Sequence, residues 1–458
     1  MHHPNLPPEL HQLIIDFVGE EVIVTFTPIN RADDAVRKTL RSCSFVCKDW
    51  HAHSLRYIFH DLWINLFGSD EDCGRYEGLF QLIKVNPLIG KSIRRLLLSI
   101  KRTQECVTAE FVENLCREMT SVEVLDLTLL SPRPLYELPD FPSPLNGIYH
   151  LLASPHLHNL SISAPNLPLR LLEIPPNIRS LTLQGVVGST PAEDLFEEQG
   201  YKGAPGSTTL EKLTVSNAHQ VLDSIAPVAQ GSLSSFFAGI KYLNMMFHDT
   251  SPDPNSRWNT VLEPWRCLQA LIIHWCINGK SLSISSLDGV KYGINAVVTD
   301  HDSFFAMCQS IPWSSFQALR SLTCSIFCDD LAQEARINTA DTRASSLFLA
   351  GPSYLPQLSL LHITYHSEIF LSEPEDLDIY LDAIFFHQLN RTIERRGSFP
   401  ALQEFDVGLK FVSNPSKLQE SDLMKRLVEK LPAVFGVGGR RETCGWDTSI
   451  KASVDWPM

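Results

Sequence analysis

One spacing of apolar residues recurs along most of the chain. It is apolar-x-x-Leu-x-apolar, and it stands at Ile93, Leu96, Leu98 and again at Val122, Leu125, Leu127. It returns at Leu157, Leu160, Ile162; Ile178, Leu181, Leu183; Leu210, Leu213, Val215; Ile240, Leu243, Met245; and Leu268, Leu271, Ile273. Looser copies follow at Leu319, Leu322, Cys324; Leu358, Leu361, Ile363; and Leu402, Phe405, Val407. The last three residues of each copy alternate in and out, which predicts a short half-buried strand. The first apolar residue is placed to pack at the strand entrance. The central positions lie 29, 35, 21, 32, 30, 28, 51, 39 and 44 residues apart. The 51-residue interval leaves room for a degenerate copy near residues 284–298. Between copies, Val107, Phe111, Val112, Leu115 and Met119 stand at helical spacing. So do Leu377, Leu381, Ile384, Phe385 and Leu389, in a helix that opens on Glu373, Glu375 and Asp376 and closes on Arg395, Arg396 and Gly397. Acids first, bases last and glycine at the stop suit the helix dipole and the C-cap. A further helix is predicted from Ser421 through Leu423, Leu427 and Leu431.

Strand, helix and strand in repetition predict parallel strands joined by right-handed crossovers. One such unit cannot bury its apolar face alone, so units stack. The pattern resembles a leucine-rich repeat array, and 61 of the 458 residues are leucine. It departs from that pattern in that no asparagine sits in register after each strand, and the repeat lengths vary. The alternative is an ordinary α/β domain with leucine-rich strands. Residues 131–145 carry Pro132, Pro134, Pro139, Pro142 and Pro144 and read as an irregular loop. Residues 185–208 and 249–257 read as further insertions on one rim of the array.

The first 65 residues differ in texture. Leu6-Pro7-Pro8-Glu9-Leu10 opens a helix, with proline tolerated in the first turn and the glutamate suited to the dipole. Leu10, Leu13, Ile14 and Phe17 form its apolar stripe, and a break follows at Gly19 and Pro28. Leu40, Cys43, Val46, Cys47 and Trp50 then recur at three- and four-residue steps, as one helical face. Leu55, Ile58 and Phe59 continue a third helix. Three short helices cannot bury all of these residues among themselves, so apolar surface is expected to remain for a partner.

Leu-Pro-x-Glu-Leu, a gap, then Leu-x-x-Cys-x-x-Val-Cys-Lys-x-Trp resembles an F-box, covering roughly residues 4–62. The segment from Leu79 to Leu98 is similar to the first repeat after the F-box in many fungal F-box proteins. The stretch 18–35 is longer than the usual link between the first two F-box helices. The resemblance implies binding to the Skp adaptor of a cullin–RING ubiquitin ligase. It implies that Leu6, Pro7 and Leu10 fill the adaptor groove, with Ile14 in support. Val46, Cys47 and Trp50 would pack from the second and third helices, with Leu40 and Cys43 on the hidden side. Large apolar anchors of this kind dominate interfaces. The alternative is that these residues simply pack on the repeats. The expected fold is therefore α plus α/β. An N-terminal three-helix F-box spans residues 1–65. An irregular leucine-rich-repeat-like α/β solenoid with parallel strands spans 66–458, its first repeat starting near residue 76. The implied role is a substrate-recognition adaptor of an SCF-type ligase. A scaffold that recruits no ligase is the competing role.

Composition narrows the remaining classes. Lys and Arg number 38 and Asp and Glu 52, a net charge of −14. That balance disfavours phosphate-backbone binding, so no nucleic-acid partner is expected. No apolar run is long enough to span a membrane, and the start MHHPNLPPEL has no secretory pattern. The 11 cysteines then read as reduced thiols of a cytoplasmic or nuclear protein. No catalytic constellation stands out, and no metal or cofactor is expected. Gly436–Gly439 lacks a phosphate-loop frame, Cys324-x-x-x-Cys328 lacks a second ligand pair, and Asp302 reads as a helix cap. Arg391, Arg395 and Arg396 read as a solvated helix end, and Trp258, Trp265, Trp275 and Trp313 as half-buried core. Alternation nominates Glu123, Asp126, Lys212 and Thr214 for a target-binding concave face, with the target itself unknown.

Overall fold

A computed structural model describes residues 8–24, 32–66, 70–101, 109–130, 142–164, 167–168, 171–172, 175–185, 188–189, 209–230, 234–247, 261–262, 265–276, 311–328, 355–371, 400–413, 425, 429 and 447–455. The expected helix over 373–397, the Gly436–Gly439 turn and the Asp302 cap lie outside these residues. Of the helix expected from Ser421, Lys425 and Glu429 are described and are helical. The chain divides into two compact units, Met1–Thr208 and Thr209–Met458.

The first unit opens with three helices, α1 (Pro8–Val24), α2 (Ala32–Cys43) and α3 (Lys48–Ile58). Ile15 and Leu40 are fully buried at their centre, with Val18, Val36, Trp50, Tyr57 and Ile58 packed around them. Two expectations are corrected here. Gly19 does not break the first helix: it sits inside α1, because the Tyr57 ring packs directly on it and leaves no room for a Cβ. The Leu40–Trp50 face is not one helix either. Phe45 N–H donates to Ser42 O at 3.2 Å and Val46 N–H to Cys43 O at 3.1 Å, which ends α2 in a turn. Cys47 is then the N-cap of α3.

The sheet of this unit starts at β1 (Asp61–Leu66), overlapping the end of the interval read as F-box. Then follow α4 (Asp70–Val85), α5 (Pro87–Ser92), β2 (Arg95–Lys101), α6 (Ala109–Glu118), β3 (Val124–Leu130), α7 (Pro142–Leu152), β4 (Asn159–Ser163), β5 (Leu167–Pro168), β6 (Ser180–Gln184) and β7 (Gly188–Ser189). Strands β1, β2, β3, β4 and β6 lie side by side in chain order, all parallel, while β5 and β7 pair apart. The sequence pattern sets their register. Leu62, Leu96, Leu125, Leu160 and Leu181 stand in one row, and Ile64, Leu98, Leu127, Ile162 and Leu183 in the next. All of these but Leu62 are buried, as are the entrance residues Ile93, Val122, Leu157 and Ile178. Each such side chain contributes about 1.5–3 kcal/mol through burial. A slip of one residue would turn a whole row to solvent, so the register is strongly specified. The expected helix at Val107–Met119 is α6. The expected proline loop is corrected in part: α7 begins within it, because Pro142 and Pro144 fall in the first turn, where a missing N–H costs little.

The second unit runs β8 (Lys212–Ser216), α8 (Ala218–Gln230), α9 (Ser234–Phe237), β9 (Tyr242–Phe247), β10 (Ala270–Cys276), a 3-10 turn (Trp313–Ser315), β11 (Ser321–Cys328), β12 (Leu360–Leu371), β13 (Glu404–Ser413) and β14 (Asp447–Asp455). These strands are again parallel and ordered as in the chain. Leu213, Leu243, Leu271, Leu322, Leu361 and Phe405 form one row. The entrance residues Leu210, Ile240, Leu268, Leu319, Leu358 and Leu402 are buried. Strand β10 pairs directly with β11, so the 51-residue interval inserts no extra strand between them. Trp265 is fully buried and Trp313 nearly so, core rather than half-buried.

Backbone carbonyls join successive repeats at the strand entrance. His60 O accepts both Arg94 N–H and Arg95 N–H, and Arg94 O accepts Glu123 and Val124 N–H. Glu123 O and His158 O continue the ladder in the first unit. In the second unit Glu211, Lys241, Gln269, Arg320 and Ser359 do the same, all at 2.7–3.1 Å. The constraint therefore lies in a few residues around each entrance. Connections of very different length can close the same ladder, since loop entropy grows slowly with length.

Candidate functional site

The face of α1 decides what the three-helix module presents. Ile15, Val18 and Gly19 point inward, one turn apart. Leu10, Leu13, Ile14 and Phe17 occupy another face and are exposed, Phe17 at 71%. The turn before α3 adds Phe45 at 86% and Val46 at 63%. The His11 and Trp50 rings meet edge to face with centroids 5.4 Å apart. This contact sets the start of α3, and the turn leading into it, beside the first half of α1.

The nominated residues separate into two groups. Leu10, Ile14, Val46 and Cys47 are exposed. Leu40 is wholly buried, Cys43 is half-buried, and Trp50 packs against the Ile15–Leu40 core. Leu6 and Pro7 lie outside the described residues. Sequence reasoning missed Phe45, although its place beside Val46 was a usable signal. It also missed what locks α1 to α3. Asp16 Oδ1 accepts a hydrogen bond from Tyr57 OH at 2.7 Å and lies 2.7 Å from His53 Nε2. Partial burial alone would raise the Asp16 carboxyl, but the bonds from Tyr57 and His53, with the nearby Arg56 charge, outweigh it and hold the pKa below the ordinary value. These partners are 37 and 41 residues from Asp16, too far for any local spacing to reveal.

Opposite the buried rows, the sheet of the first unit has a face of mixed chemistry. Asn65, Ser99, Thr128, Ser163 and Gln184 stand in one register row, all uncharged hydrogen-bonding residues. Trp63, Leu97, Asp126, Ser161 and Thr182 form the next row, with Trp63 exposed. Asp126 meets Arg95 at 3.2 Å. Glu123 is placed differently from its nomination. It belongs to the entrance ladder and pairs with Arg94 at 2.9 Å. In the second unit Lys212 and Thr214 do lie on the face opposite the buried row.

The described residues contain no cluster of three or more His, Cys, Asp or Glu able to hold a metal ion. The Cys324–Cys328 pair lies along strand β11, not on a helix face, so the two positions are about 13 Å apart. Burial pushes the thiols of Cys116 and Cys324 up to about 12. Among the described residues no helix is long and apolar enough to cross a membrane.

No protein-family model matches the chain, and no curated protein matches its sequence. Among solved structures it is similar to a crystal structure of the yeast Rad7 and Elc1 complex, at 8% identity over 90% of this chain and 91% of that chain, with a TM-score of 0.30.

Proposed function

We propose that this chain is a non-catalytic substrate-recognition adaptor of an SCF-type cullin–RING ubiquitin ligase. The N-terminal module acts as an F-box and docks on the Skp adaptor. The face of the repeat sheet opposite its buried rows receives a target protein. One observation carries the reading: the module leaves Leu10, Leu13, Ile14, Phe17, Phe45 and Val46 in solvent while its own core closes around Ile15 and Leu40. Residues meant only to pack on the repeats would be buried, and several large apolar side chains exposed on one small module point to a partner. Ubiquitin transfer is then the work of the ligase core, and this chain contributes proximity. Such a role belongs to the cytoplasm or nucleus.

Binding of the full chain to purified Skp adaptor tests the proposal. Leu10→Asp and Val46→Asp are the informative changes, because both side chains are exposed and the fold does not need them. Trp50 is a poor choice, since it supports the core. A folded chain that ignores the adaptor would leave a scaffold role without ligase recruitment.

A further inference from the structure

A second apolar surface lies on the corner between α4 and α5. Leu82 and Val85 on α4 and Leu88 on α5 are exposed, Val85 at 83%. The corner itself is fixed. Asn86 N–H donates to Leu82 O at 2.9 Å, and Asn86 Oδ1 accepts from Leu88 N–H at 3.3 Å. Ile83 and Ile89 anchor it from inside. Gly90 lies so close to the Glu118 carbonyl that a Cβ would fall within 2.5 Å, so α5 is pressed on the end of α6. Three neighbouring exposed apolar residues on a rigid corner serve no core.

The local charge runs against that of the chain. The whole sequence carries −14, yet no Asp or Glu occurs from Gly78 to Arg95. Arg94 and Arg95 are engaged by Glu123 and Asp126. Lys84 and Lys91 pair with no carboxylate among the described residues, and Lys84 Nζ stands 4.2 Å over the Phe80 ring. Lys84 sits between Leu82 and Val85 in the chain, and Lys91 lies about one turn beyond Leu88.

We propose that this corner docks an acidic, leucine-bearing amphipathic helix of a partner protein. The apolar anchors recur at about one-turn spacing, which suits a helix laid against them. Carboxylates on its flank would meet Lys84 and Lys91, giving orientation and selectivity. The inference stands apart from the Skp-adaptor reading, because it uses none of the α1 or Phe45–Val46 surface.

The test titrates the full chain with a fluorescent designed helix of about 18 residues, leucines on one face and glutamates on the other. A counterpart with lysines for glutamates is the control. Saturable binding of the acidic helix is expected, weakened roughly tenfold by Val85→Glu with Leu88→Glu and by Lys84→Glu with Lys91→Glu. Leu10→Asp with Val46→Asp should leave it unchanged. Equal binding by every variant, equal binding of the lysine helix, or no saturable binding would overturn the proposal. Phosphatidylserine vesicles binding in place of the acidic helix would overturn it in favour of a bilayer. Self-association lost in Val85→Glu with Leu88→Glu would overturn it in favour of a second copy.

Discussion

Gly19→Ala probes how α1 is held in place. In an open helix interior this change stabilises by about 1 kcal/mol, because alanine loses less backbone entropy on ordering. At position 19 the added Cβ would sit 2.5 Å from Tyr57 Cε1 and closer still to Cγ and Cδ1. Tyr57 is not free to swing aside, since its hydroxyl donates to Asp16 Oδ1 at 2.7 Å. A hydrogen bond to a charged group contributes about 1.5–3 kcal/mol. Asp16 is 38% exposed, so the lower end applies. Overpacking a filled contact costs about 1–3 kcal/mol. With both costs set against the propensity gain, the net effect should be a loss of about 1.5–3.5 kcal/mol. Gly78→Ala on α4 is the matched control, because a Cβ there meets nothing within 4 Å. It should be neutral or gain up to about 1 kcal/mol. Urea unfolding followed by circular dichroism reads both changes. Amide exchange at Ile15 and Leu40 isolates the module, which can open before the sheet does. A Gly19→Ala chain as stable as the parent, with unchanged exchange at those two residues, would refute the packing described for α1 and α3.

Leu127→Ala removes a side chain that is 1% exposed and stands in register between Leu98 and Ile162. It should cost about 2–5 kcal/mol in urea unfolding, whereas Thr128→Ala on the opposite face should stay within about 0.5 kcal/mol. Thiol titration at about pH 8 should modify Cys47 and Cys267, which are exposed, far faster than Cys116 and Cys324, whose thiols burial pushes up to about 12. The lowered carboxyl of Asp16 predicts an acid effect of definite sign. Its contribution is present above the ordinary carboxylate pKa and lost as pH falls through the lowered folded value. The stability gap between the parent and Asp16→Asn should therefore hold above about pH 5 and narrow as pH falls below the ordinary carboxylate pKa, as unfolding curves taken into the acid range would show.

The strands were legible because their determinant is local. Each triplet such as Leu96–Leu98 or Leu322–Cys324 combines alternation with a buried entrance residue, and parallel stacking follows from the repetition. Phe59, Leu62 and Ile64 carry the same spacing, with Leu62 and Ile64 in β1, yet the strand lay hidden because it ends a segment read for its helices. Helix α8 was not read from the sequence, although Val221, Leu222, Ile225, Ala226 and Ala229, all buried, stand at helical spacing. What sequence did not convey was direction. The stripe Leu10, Leu13, Ile14 and Phe17 was readable as helical, but periodicity cannot say which face turns inward. That choice was made by tertiary contacts, Tyr57 on Gly19 and Asp16 with His53, between residues dozens of positions apart. The same holds for Trp50, whose spacing grouped it with Val46 but whose ring meets the core. The α4–α5 corner was not singled out in the sequence, because the apolar spacing of Leu82, Val85 and Leu88 does not say which of them turn to solvent.

Docking through the exposed α1 and Phe45–Val46 surface is the central claim, and calorimetric titration with purified Skp adaptor tests it most directly. The parent chain should bind at a single site. Leu10→Asp with Val46→Asp should weaken binding by at least about 100-fold, with an unchanged circular dichroism spectrum, since each is expected to act as a buried interface anchor. A folded parent chain that gives no binding, or a double variant that binds as tightly as the parent, would contradict it.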